Sequence, residues 1–105
     1  MRILFDHGTP APLRHALGGH TVSTAHEMHW TELDNGALLH AAEGNFDALI
    51  TTDQNLRYQQ NLTGRRIAIL ILPTTSWPKI QTHTAQVFAA ANALHPGDVV
   101  ELRFE

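Results

Sequence analysis

The chain has 105 residues, enough for one domain (1-105) with a layered core and too few for a second. A hydrophobic fraction of 43% and a mean hydropathy of -0.17 are those of a soluble globule. No apolar run nears the roughly 20 residues that span a bilayer, and the first residues enter a strand pattern instead of a signal peptide, so a cytoplasmic protein without a membrane contact is expected. The absence of cysteine excludes disulfides, thiolate catalysis and cysteine zinc sites. A formal charge of -3 argues against a general electrostatic grip on nucleic acid, so any such contact needs a local basic patch.

Met1-Arg2-Ile3-Leu4-Phe5-Asp6 reads as an apolar strand that runs out into an aspartate. A loop follows at His7-Gly8-Thr9-Pro10. Pro10 to Leu17 carries helix chemistry, and Gly18-Gly19 stops it. His20 to Ala25 reads as a second strand, and His26 to Leu33 as a loop that carries Glu27, His29 and Trp30. Asp34 or Asn35 can cap the next helix, whose apolar positions Leu38, Leu39, Ala41 and Ala42 precede a stop at Gly44-Asn45.

Ala48 to Thr51 is the third strand, again followed by an acid, Asp53. The segment from Gln54 to Leu62 looks like a short polar helix ended by Gly64, and Ile67 to Leu72 is the most hydrophobic run and the expected central strand. Ser76 can cap one longer helix in which Trp77, Ile80, Thr84, Val87, Phe88, Ala91 and Leu94 recur at helical spacing. Pro96-Gly97-Asp98 turns into a last strand, Val99 to Phe104.

This alternation predicts an α/β fold with a mostly parallel five-stranded sheet. In the order 2-1-3-4-5 the first and third strands are neighbours at the switch point, where ligand crevices form at the carboxyl ends of strands, and Asp6 and Asp53 face one another there. Two unit charges about 4 Å apart repel by roughly 1 kcal/mol in water and about 4 kcal/mol at an effective dielectric near 20, so the pair calls for a cation, a proton or hydrogen-bond donors. Hard oxygen ligands favour magnesium or manganese over zinc.

Four segments together resemble one family. They are Ile3-Leu4-Phe5-Asp6 followed by Pro10 and a helix; Gly19-His20-Thr21-Val22 with Glu27 and Trp30; Leu33-x-Asn35-x-x-Leu38-Leu39; and Ile50-Thr51-Thr52-Asp53. This pattern resembles the compact PIN-like family, small relatives of the VapC-type toxin ribonucleases. The resemblance covers most of the chain and implies a three-layer α/β/α domain. It also implies a magnesium- or manganese-dependent endoribonuclease whose clustered carboxylates hold the metal, a small antitoxin as partner, and a homodimer.

Residue by residue, Asp6 and Asp53 match the family's acids and metal ligands, and Glu27 matches a glutamate common in the loop after the second strand. The chain departs from the family elsewhere. His7 stands where a glutamate is usual, Asn35 where the middle helix usually opens on aspartate (Asp34 is one residue out of register), and Asn55 in place of a second acid after Asp53. Two carboxylates balance one divalent cation, and an asparagine oxygen can ligate without adding charge, so at most one ion is expected, bound weakly, with nuclease activity reduced or lost. Glu27 or Asp34 would restore a third charge if its loop folds inward. His7, beside Asp6, is a candidate general acid.

Simpler roles compete for the same residues. Asp53 can be a helix N-cap, Asp6 can bond the Gly8 and Thr9 amides, and Asn35 can be a cap. His26-Glu27-Met28-His29 lacks the i, i+4 histidine spacing of a zinc protease. Arg57, Arg65 and Arg66 form either a phosphate-contacting patch near the Asp53 edge or a solvated rim. Two other functions compete with the nuclease: a non-catalytic PIN-like module that binds protein or RNA, and, more remotely, a receiver-like phosphoacceptor, which would want a lysine after the last strand where the only lysine is Lys79.

Overall fold

Four short apolar runs and one alternating Thr, Val and Ser segment become five strands: β1 (Arg2–Phe5), β2 (Thr21–Thr24), β3 (Ala48–Thr51), β4 (Ala68–Ile71) and β5 (Val99–Glu101). All neighbours pair parallel, in the order β2-β1-β3-β4-β5. The sheet is therefore parallel throughout, in the order expected. The computed structural model describes every residue except Gln60, Asn61, Thr63 and Glu105, and describes Arg57 and Gln59 by their backbone alone.

Strand residues alternate between two apolar clusters, as the period of two requires. Ile3, Phe5, Ile50 and Leu70 pack with Leu13, Leu17, Ile80 and Val87, whereas Leu4, Leu49, Ile69 and Ile71 pack with Leu38, Leu39, Ala42 and Leu56. Burial on both sides explains why β3 and β4 read as unbroken apolar runs: all four residues of each are buried.

The helices are α1 (Asn35–Glu43), α2 (Leu56–Gln59), α3 (Trp77–Gln81) and α4 (Thr84–Asn92). Asp34 caps α1, its Oδ1 accepting the Ala37 N–H at 2.8 Å. Among the described residues no helix is long and apolar enough to cross a membrane.

Three elements differ from the sequence expectation, each for a local reason. The first helix is a 3₁₀ turn, Ala11–Ala16, with Leu13 N bonded to the Pro10 carbonyl and Leu17 N to that of Arg14. Pro12 has no N–H to give and disfavours α geometry at Ala11, so the tighter pattern is retained.

The single helix expected after Ser76 is broken between α3 and α4. A continuing helix would give the Lys79 carbonyl to the His83 N–H. Instead the Thr82 hydroxyl (2.9 Å) and the His83 ring Nδ1 (2.8 Å) take that carbonyl, and the His83 N–H goes to Ile80. The last strand stops at Glu101 because its partner β4 ends at Ile71. One further bond, Leu102 N to the Ile71 carbonyl at 2.8 Å, closes the ladder before the chain reaches Pro73 on the β4 side.

Of the polar segment expected as a helix from Gln54 to Leu62, Leu56–Gln59 is helical, and Gln60 and Asn61 lie outside the described residues.

Candidate functional site

Asp6 leaves β1 at the sheet's carboxyl edge, its N–H still bonded to the Ile50 carbonyl of β3 at 3.3 Å. It is one of the few buried polar residues, at 7% exposure, and so needs donors for its carboxylate. Two hydroxyls supply them. Thr9 Oγ1 donates to Oδ1 at 2.6 Å, and Thr51 Oγ1 donates to Oδ2 at 2.5 Å. The amides of Gly8 and Thr9 do not serve this role; the Thr9 N–H bonds the Asp6 main-chain carbonyl instead.

Thr51 has a second task. Its Oγ1 accepts the Asp53 N–H at 3.1 Å, so one hydroxyl joins the first aspartate to the backbone of the second. The Asp53 carboxylate accepts the Asn55 N–H on Oδ1 at 2.9 Å, a turn that leads into α2, and the Asn35 Nδ2–H on Oδ2 at 2.5 Å. Asp53 thus shapes the turn before α2 and is a member of the cluster. Asn35, at the start of α1, is not the cap: Asp34 takes that position, which frees the Asn35 amide to reach across 18 positions to Asp53.

Gly8 lets the β1 loop press against the end of β3, since a Cβ there would stand 2.6 Å from Thr52 Oγ1. The aspartates, Asn35 and the two threonines therefore form one hydrogen-bonded edge.

Beside that edge a groove of about 850 Å³ opens between the 3₁₀ helix and the end of β2. Asp6 is on its wall, as are His7, His15, His26, Arg14 and Glu27; Asp53 and Asn35 are not. Glu27 does not turn toward Asp53. It pairs with Arg14, with Nη2 to Oε1 at 2.5 Å and Nη1 to Oε2 at 3.1 Å, and accepts the Thr24 N–H at 2.9 Å. The guanidinium, and after it the Thr24 amide, hold the Glu27 carboxyl down at about 2. The same pairing raises Arg14 above the usual arginine value. His7 is exposed on the groove beside Asp6.

Of the candidate arginine patch, Arg65 and Arg66 do not join Asp53. Arg65 and Arg66 precede β4 and so stand at the amino edge of a parallel sheet, whereas Asp53 follows β3 at the carboxyl edge. There they gather around Glu43: Arg65 Nη1 lies 3.8 Å from Oε2, and the Arg66 N–H bonds Oε1 at 2.7 Å. Arg57 is on α2, after Asp53, and its side chain lies outside the described residues.

Among the described residues no group of three or more histidines and acids is placed to hold a metal ion. The donor set of Asp6 and Asp53 is two carboxylates and so all oxygen, and among the described residues each oxygen accepts one hydrogen bond and keeps a second lone pair. That chemistry fits one hard divalent cation and not two.

The sequence reading passed over Thr9, Thr51 and Arg14. A signal for the two threonines was available, because a hydroxyl residue beside a buried strand-end acid is its nearest donor. None existed for the Arg14 and Glu27 pair, which depends on how two loops meet. Compared with protein-family models, curated proteins and solved structures, the chain matches none.

Proposed function

We propose that this chain is a PIN-like, divalent-metal-dependent endoribonuclease of reduced activity, working in the cytoplasm on RNA and paired with a small antitoxin as a homodimer. The observation that carries the reading is the Asp6, Thr51 and Asp53 linkage at the switch point of a parallel sheet, with Asn35 on the second acid. Asp6 and Asp53 are the residues that would hold magnesium or manganese. An ion bound there supplies Lewis-acid activation of water and neutralises charge on the phosphoryl oxygens. Thr9 and Thr51 orient Asp6, Asn35 orients Asp53, and His7, which lines the groove, would hand a proton to the leaving oxygen.

One observation favours a second reading, a module that binds protein or RNA without cleaving it. All four carboxylate oxygens are already engaged within the chain, and among the described residues no third acid joins them.

Calorimetric titration with manganese, on wild type and Asp53→Asn, separates the two. The nuclease reading expects one ion at millimolar affinity, lost in the variant, together with magnesium-dependent RNA cleavage. Absence of binding at 10 mM or so, together with full function of the variant, would leave the binding module.

A further inference from the structure

The groove beside the acidic edge holds chemistry that the metal reading does not use. Besides the loop after β1 that carries Asp6 and His7, its walls come from two further elements, the 3₁₀ helix with Arg14 and His15, and the turn after β2 with His26 and Glu27. The bidentate Arg14 and Glu27 pair ties these elements together. Each member of that strut is the chain neighbour of a histidine, so the pair that fixes the groove also fixes the backbones that carry His15 and His26. Both histidines are exposed on the groove, and among the described residues no hydrogen bond or ion pair engages either ring. The other charged or titratable groups on the groove are Asp6, His7, Arg14 and Glu27.

Imidazole is the side chain that can give and take protons near neutral pH, and two of them on one groove can serve as acid and base in a single displacement. We infer that His15 and His26 form a metal-independent acid and base pair that cleaves RNA by transphosphorylation. The substrate is a strand with a ribose 2′-hydroxyl, laid in the groove so that it continues from Asp6.

One imidazole takes the 2′-hydroxyl proton, and the 2′-oxygen forms a bond to the adjacent phosphorus. The bond from phosphorus to the 5′-oxygen breaks, its electron pair stays on that oxygen, and the second imidazole, protonated at the start, delivers the proton it needs. The products are a 2′,3′-cyclic phosphate and a 5′-hydroxyl; no water, metal or oxidant is consumed. The two rings end with exchanged protonation states and reset through solvent.

The test is cleavage of a labelled RNA oligonucleotide in excess EDTA, with product ends read by mass spectrometry. Expected are cyclic-phosphate ends, no cleavage of DNA of the same sequence, and a bell-shaped pH profile. His15→Ala and His26→Ala should each lower the rate about 100-fold, and the double variant by little more than either, because the pair acts as a unit. Both residues are exposed, so matched thermal melts should show folded variants. No cleavage by wild type in EDTA would overturn the inference. So would an equal rate in the double variant, which would mark a co-purifying ribonuclease. Metal-dependent cleavage is distinguishable from this: it needs magnesium, leaves a 5′-phosphate and is lost in Asp53→Asn, whatever the EDTA arm returns.

Discussion

Thr51 is the residue that links the two aspartates of the acidic site. Its one hydroxyl donates to the buried Asp6 carboxylate and accepts from the Asp53 N–H. Thr51→Val keeps the shape and the β-branch but leaves a carboxylate oxygen and an amide without their partner. Leaving such groups unmade costs about 1–3 kcal/mol, so the urea midpoint should fall accordingly, while Thr51→Ser recovers most of the loss. If Thr51→Val melts like wild type, water has replaced the hydroxyl and the linkage is not structural. Glu27 gives a different signature. Its carboxyl is held at about 2, below the ordinary carboxylate value of 4.5, by Arg14 and then by the Thr24 amide. A depressed acid stabilises the fold above its unfolded pKa and releases that stability as pH falls toward the folded value. Thermal melts from pH 5 to pH 2 should therefore decline less steeply in Glu27→Gln. The difference should shrink in high salt, since the pair is exposed. The residual slope of the variant belongs partly to Asp47, which the Arg2 amide also holds below the usual carboxylate range.

At the scale of elements, the cap of α1 is coupled to the site. Asp34 bonds the Ala37 N–H, and the next residue, Asn35, holds Asp53. Asp34→Ala should cost about 1 kcal/mol of stability as a lost cap and, by fraying the first turn, loosen the Asn35 contact. An amide resonance shift at Asp53 and Asn55 by NMR checks the second effect, which a cap isolated from the site would not produce. β1, β3, β4 and β5 were legible in the sequence as short apolar runs and β2 as an alternation of Val with Thr and Ser, while helix-length connections between them implied parallel pairing; the order 2-1-3-4-5, one arrangement consistent with that pattern, is the one the sheet adopts. The helices were less so. A hydrophobic spacing that runs unbroken from Trp77 to Leu94 does not register that Thr82 and His83 compete for the Lys79 carbonyl, since periodicity records faces and not hydrogen bonds. Asp6 and Asp53 were legible from their place after strands. Asn35 read as a cap because a one-residue shift between Asp34 and Asn35 leaves the apolar pattern unchanged.

Over the whole molecule, charge placement bears on the proposed binding of RNA. The arginine pair that adjoins β4 was one candidate for a phosphate patch beside Asp53, yet the topology that puts both aspartates at the carboxyl edge sends those residues to the far edge. An acid that follows one strand and a base that precedes its parallel neighbour lie at opposite ends. Arg65 is moreover drawn to Glu43, and Arg14 to Glu27, so both cations are partly neutralised within the chain. With a formal charge of -3, little remains to displace counterions from a phosphate backbone. Single-stranded nucleic acid releases counterions with a slope near -0.7 per phosphate neutralised, so binding by this chain should show a slope shallower than about -2 in a plot of log affinity against log salt. Fluorescence anisotropy with a labelled RNA, from 50 to 300 mM or so of monovalent salt, measures it directly. Arg65→Ala with Arg66→Ala should leave both the slope and the affinity near wild type, because a strand that crosses the carboxyl edge does not pass them. A slope of -4 or steeper, reduced by the double substitution, would mean instead that RNA runs along the amino edge, and the acidic pair would then lie off its path.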